Sequence, residues 1–178
     1  MVKIKNIIER IIKKYSERPW IDDNSTIGKY TYIGKNTYIT KSAIGRYCSI
    51  ANNVSIGLGE HDLKEISTNT LFYQQDPYDI LTQKPCIIKN DVWIGVDSII
   101  RRGVTIGNGA IIGANSFVNR DIPDFAIACG NPARIIRYRF SEKAQKIILE
   151  SLWWEKDFHE AQKVIQALKQ ELENGFYR

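Results

Sequence analysis

The chain has 178 residues, a formal net charge of +5, 43% hydrophobic residues and 25% charged residues. This is one domain's length with enough apolar content for a core, which excludes wholesale disorder. The basic balance is compatible with nucleic acid, an acidic membrane surface or a phosphorylated small molecule, and chooses none of them.

Residues 1–18 predict an amphipathic helix. Ile4, Ile7, Ile8, Ile11, Ile12 and Tyr15 fall on one face, Lys3, Lys5, Arg10, Lys13 and Lys14 occupy much of the rest, and Pro19 closes it. Charges scattered through the apolar residues exclude a secretory signal. No segment approaches the ~20 apolar residues that cross a bilayer, so no stable membrane insertion is expected. A basic amphipathic helix either packs on the fold or a neighbouring subunit, which is the expectation, or lies on a membrane.

From Ile21 the period changes. Ile21, Ile27, Ile33 and Ile39 are six apart; a five-residue step leads to Ile44, Ile50 and Ile56. The series resumes at Ile88, Ile94, Ile100, Ile106, Ile112 and Val118. Glycine often follows the aliphatic residue, and a small or β-branched residue usually stands four places after it. Period six fits neither an amphipathic helix nor simple alternation. It predicts a solenoid of short strands with alternating large and small side chains inside and glycines at the turns.

The beat stops between His61 and Pro85. The insertion "HDLKEISTNTLFYQQDPYDILTQKP" is too apolar for a disordered loop, and Leu71, Phe72, Tyr73, Tyr78 and Ile80 suit either a pocket wall or a contact with a neighbouring subunit. One of the chain's two histidines, His61, sits where the regular scaffold opens. Residue chemistry alone leaves it open between an ordinary loop side chain and a general base. The other, His159, falls in a tail predicted as two helices over 141–174, with Ser141 opening the first, "WWEKD" bending the chain and Gly175 ending the second. The tail is expected to cover an open end of the solenoid. The organisation is a single domain, 1–178: helix 1–18, solenoid 21–129 with insertion 61–85, and helices 141–174.

Three cysteines, Cys48, Cys86 and Cys129, carry no CxxC pair, so neither a disulfide framework nor a zinc site is expected. A reducing compartment, the cytoplasm, is the expectation. Cys48 occupies an inward slot and reads as an inert buried thiol. "GNGAIIG" lacks the spacing of a phosphate loop. The basic residues gather at the ends with no aromatic-basic platform, so nucleic acid is not an expected partner.

"IGKYTYIGKNTYI", "IGRYCSIANNVSIG" and "VWIGVDSIIRRGVTIGNGAIIGANSFVNRDIP" resemble the hexapeptide repeats of the left-handed parallel β-helix acyltransferases, and "GNPARIIRYRFSEKAQKIILESLWW" resembles the exit and helical tail of one branch. That branch contains the xenobiotic acetyltransferases and polysaccharide O-acetyltransferases. The resemblance covers roughly residues 27–154. It implies a mainly β, left-handed parallel β-helix, a homotrimer with sites between subunits, and acetyl-CoA as acyl donor with no metal. A γ-class carbonic anhydrase shares the solenoid but needs three histidines, and this chain has two.

The resemblance makes His61 the general base, since Gly57 to His61, Ser67–Thr68 and Phe72–Tyr73 match the branch's layout; the group that orients it stays open. It implies cofactor contact at Trp93, before "IG", and at Ala114, in the "IGA" repeat. It extends this to Asn119 and Arg120 in "VNRDIP", where the branch has Thr-Lys, and to Arg134 and Arg137 after "GNP". The acceptor implied first is a sugar hydroxyl of a surface-polysaccharide precursor. Chloramphenicol or a streptogramin comes second, and an amino sugar is a further option. A non-catalytic solenoid scaffold is the reading of another class.

Overall fold

The computed structural model describes residues 18–173. The helix expected over 1–18 lies outside the described residues except for its last position.

Three sheets of short strands run side by side. The first joins Trp20–Ile21, Tyr38–Ile39, Ser55–Ile56, Ile99–Ile100 and Phe117–Val118. The second joins Thr26–Ile27, Ser42–Ile44, Cys86–Ile88 and Thr105–Ile106. The third joins Tyr32–Ile33, Ser49–Ile50, Trp93–Ile94, Ile111–Ile112 and Ala126–Gly130, with Ala133–Tyr138 antiparallel on its edge. The chain visits the sheets in rotation, so every third strand pairs in parallel: Trp20 with Tyr38 and Ile99 with Phe117, three six-residue steps apart. The five-residue step at Ile39 is absorbed in the coil that pairs Tyr38 with Ser55.

In a two-residue strand one side chain points in and the next out. The beat residue is the inward one: Ile39, Ile50, Ile56, Ile94, Ile106 and Ile112 are fully buried in one continuous stack. Parallel stacking in register places like side chains on one another and pairs the backbone of successive coils.

The glycines play a different part from the one expected. Left-handed backbone falls three places after the aliphatic residue, at Tyr30, Asn36, Tyr47, Asn53, Asp91, Asp97 and Asn115, with glycine there only at Gly103 and Gly109. Apart from Gly57, which is itself left-handed at φ +62°, the glycine directly after the aliphatic residue instead permits close stacking. A Cβ on Gly28 would lie 2.5 Å from the carbonyl carbon of Gly45, and one on Gly95 would lie 2.5 Å from the amide nitrogen of Ala114.

The C-terminal tail is helical as expected. Helix α2 (Glu142–Ser151) is capped by Ser141, whose hydroxyl accepts from the Ala144 amide; Trp153–Glu155 forms a tight turn, and helix α3 (Phe158–Glu173) follows. The short α1 (Pro77–Leu81) lies in the insertion. The tail runs along the corner between the second and third sheets rather than only over an end. Tyr30 stacks on Tyr47 and Tyr47 packs on Trp153, while Arg46 donates to the carbonyls of Glu155 and Lys156. Phe125, Ala144, Ile148, Trp154 and Ala161 complete a second core there. The open edge of the third sheet is covered by strand Ala133–Tyr138.

Candidate active site

The insertion leaves the solenoid after strand Ser55–Ile56 of the first sheet and returns at Cys86–Ile88 of the second. It therefore springs from the corner between those sheets. The next coils turn the same corner at Arg101–Gly103 and at Asn119–Asp121. Insertion and corner together enclose a cleft of about 530 Å³, with His61, Leu81, Lys84, Arg101, Asn119 and Arg120 among its walls. His61, Asn119 and Arg120, named from the sequence, thus share one cleft.

His61 is exposed on the wall. Its Nδ1 lies 3.5 Å from the hydroxyl of Tyr73. Glu60, its sequence neighbour, faces elsewhere: its carboxylate accepts two bonds from Arg101, at 2.6 and 2.8 Å. That pair raises the Arg101 guanidinium above its ordinary value, chiefly through the hydrogen bond. Both partners are partly exposed, so the pair's worth is modest, about 0–1 kcal/mol, but its two-pronged geometry fixes the start of the insertion.

Two other contacts hold the insertion. Arg102 is 9% exposed and donates to the carbonyls of Thr40, Lys41 and Lys84, at 3.0, 3.1 and 3.3 Å. It ties the insertion's last turn to the coil below, and burial lowers its affinity for a proton. Tyr78, on α1, donates to Asp22 at 2.6 Å, and the same carboxylate accepts from Ser25 and from the Lys41 amide. Burial opposes ionisation of Asp22, but these bonds and nearby Arg102 outweigh it and hold the carboxyl below its usual range.

The remaining residues named from the sequence lie elsewhere. Trp93 points outward from the third sheet, 53% exposed. Across that face Trp93 pairs with Ile111, Ile111 with Ile127 and Ile127 with Arg137, a span of three strand spacings or about 14 Å. Ala114 is exposed on the turn after Ile111–Ile112. Arg134 and Arg137 are exposed on strand Ala133–Tyr138, their guanidinium groups donating to the carbonyls of Ala133 and Tyr138. Within one chain, Trp93, Ala114, Arg134 and Arg137 stand on the third sheet and its corner with the first, apart from the His61 cleft.

Sequence reasoning missed Arg101 and Arg102. Two consecutive arginines after a buried Ile100, at the corner that carries the insertion, were the available signal. Burial pushes the Cys48 thiol up to about 11, in keeping with an inert group. Cys48, Cys86 and Cys129 are free. Among the described residues no group of three or more His, Cys, Asp or Glu could hold a metal, and no helix is long and apolar enough to cross a membrane.

Residues 85–120 match the family described as bacterial transferase hexapeptide (six repeats). A chloramphenicol acetyltransferase of Agrobacterium fabrum is 36% identical over 121 residues, 62% of this chain and 58% of that protein. The galactoside O-acetyltransferase of Escherichia coli is 31% identical over 76% of this chain and 68% of its own length. Among solved structures, a hexapeptide-repeat acetyltransferase of Vibrio cholerae complexed with acetyl coenzyme A superposes with a TM-score of 0.56 at 31% identity, covering 65% of this chain and 61% of that one. The chain spans 58–60% of the length of the chloramphenicol acetyltransferases it matches.

Proposed function

This chain belongs to the hexapeptide-repeat acyltransferase family, and from that premise we propose that it moves an acetyl group from acetyl-CoA to a hydroxyl of a small acceptor. The observation that carries the reading is an exposed His61 sharing one cleft with Asn119 and Arg120, on a corner held by paired backbone.

A neutral hydroxyl is a weak nucleophile. His61 takes its proton as the oxygen attacks the thioester carbonyl; the tetrahedral oxyanion collapses, the C–S bond breaks, and the proton passes to the sulfur of CoA. A fixed cleft contributes chiefly by orienting the two substrates. Arg120, Arg134 and Arg137 supply cations for the phosphates of CoA, and Asn119, Trp93 and Ala114 contacts for its arm. One chain leaves these groups on different corners. The reading therefore includes a left-handed coil and a homotrimer whose sites lie between subunits, both carried by the family resemblance.

The acceptor order expected from sequence is reversed. Two chloramphenicol acetyltransferases are 36% identical to this chain, which supports a hydroxyl-bearing antibiotic as the first acceptor. A sugar hydroxyl is second, supported by the galactoside enzyme. The test is CoA release, by thiol detection, with chloramphenicol, a streptogramin, galactosides and nucleotide sugars, alongside calorimetric titration with CoA. Release with an antibiotic supports the first reading and release with a galactoside alone the second. No CoA binding at all would leave a non-catalytic solenoid.

A further inference from the structure

We propose that Tyr73 is a positioning residue that fixes the tautomer of His61, an inference that rests on His61 acting as the base. Three groups surround the Tyr73 hydroxyl: the Asp62 amide nitrogen at 3.1 Å, the Thr68 carbonyl oxygen at 3.4 Å and His61 Nδ1 at 3.5 Å. One assignment satisfies all three contacts at once. A phenol has one proton to give and two lone pairs to accept with. The amide of Asp62 can only donate, so it takes one lone pair. The carbonyl of Thr68 can only accept, so it takes the proton. What remains is a lone pair, and a ring nitrogen can match it only by carrying a hydrogen.

His61 is therefore protonated on Nδ1, and its Nε2 holds the free lone pair that a general base requires. The opposite assignment, with the phenol donating to Nδ1, strips the Thr68 carbonyl of its partner and puts the ring proton on Nε2. A histidine in that state cannot accept the acceptor's proton through Nε2. The two outer contacts are long, as catalytic hydrogen bonds often are before substrates tighten the site.

The local sequence builds this arrangement. Asn69 caps the short turn Thr70–Phe72 by accepting from the Leu71 amide, and the Tyr73 amide closes it on the Thr70 carbonyl. The turn brings Tyr73 back over His61 and Asp62, twelve and eleven places earlier in the chain. Glu60, the sequence neighbour of His61, is occupied by Arg101.

The chain has only two histidines, so the tautomer can be read directly from two-bond 1H–15N spectra of imidazole-labelled protein, with His159→Ala assigning the signals. Above the ordinary imidazole titration range, wild-type His61 is expected as the Nδ1–H form. Tyr73→Phe, which keeps the ring and loses the hydroxyl, is expected to shift it to the Nε2–H form that free imidazole prefers. With an accepted substrate, Tyr73→Phe is expected to lower kcat about tenfold, the scale of one modest hydrogen bond, with KM for acetyl-CoA unchanged. An Nε2–H signal in the wild type, or a tautomer that ignores Tyr73→Phe in a folded variant, overturns the proposal. The spectrum needs no acceptor, so a failed base assignment, seen as full turnover in His61→Ala, remains distinguishable from a failed tautomer assignment.

Discussion

The coils and the insertion solve opposite problems in the same short stretch of chain. In the coils from Ile39 to Val118 the aliphatic residue that keeps the six-residue beat is buried, Ile56 and Ile94 completely, and each strand pairs with the coil above or below. In the insertion several large apolar residues face out: Leu63 is 89% exposed, Leu71 86% and Phe72 66%. The coils are held by burial, which is summed over many residues. The insertion is held by a few polar contacts to distant parts of the chain: Glu60 to Arg101, Tyr78 to Asp22, and Arg102 to the Lys84 carbonyl. On the proposed function, stability and chemistry are thereby separated, with His61 on the part that packs least into the core.

The largest effect that tests this separation is the loss of His61 itself. His61→Ala is expected to reduce turnover about 10²–10⁴-fold, the scale of general base catalysis, with CoA affinity and melting temperature nearly unchanged. Calorimetry and thermal unfolding check the second half, and a large fall in melting temperature would show that the insertion does carry the fold. Ile56→Ala should do the reverse. Removing most of a fully buried aliphatic side chain costs about 2–5 kcal/mol of stability and should leave turnover per folded molecule intact, measured by chemical denaturation beside the kinetics.

This division also explains what the sequence could and could not convey. Ile21 to Val118 announce the solenoid because each buried residue repeats the same local environment, and a period is visible in one chain. Some left-handed corners, such as Asn36, Asn53 and Asn115, use a residue type that tolerates that backbone; Tyr30 and Tyr47 do not, and nothing in their identity marks them. The insertion has no period. The partner of Tyr78 is Asp22, fifty-six places earlier, and the partner of Glu60 is forty-one places later. Pairings of that kind follow from which corners stack, and only the folded chain displays them. His61 was legible as a candidate through its position at the break in the beat, whereas Arg101, Arg102 and the role of Tyr73 were not.

A smaller effect is expected at the Asp22–Tyr78 contact. Tyr78→Phe removes one hydrogen bond, about 1 kcal/mol, but it frees α1, which carries Leu81 on the cleft wall. The acceptor KM should rise several-fold while KM for acetyl-CoA holds. The carboxyl of Asp22 is held below its ordinary value of 3.8, so its contribution is present above that pH and fades as the pH falls through the lower folded value. The difference in melting temperature between wild type and Asp22→Asn should therefore be constant near neutrality and shrink only below about 3.8. A difference that shrinks already between pH values of about 5 and 7, the range of histidine, would assign the contact's pH dependence to another group.

The smallest effect sharpens the comparison most. Ile66 is fully exposed, at 107% of its reference area. If water is its only neighbour, Ile66→Ser should change stability by no more than about 0.5 kcal/mol, as for most surface substitutions. In a trimer with sites between subunits the same side chain gains a place to bury, and the substitution should then lower the melting temperature by an amount that depends on protein concentration. Thermal unfolding of both proteins across a hundredfold range of concentration separates the cases. A concentration-dependent loss would mean that the insertion is held by burial after all, between chains rather than within one. The contrast with the coils would then belong to the isolated chain and not to the assembly.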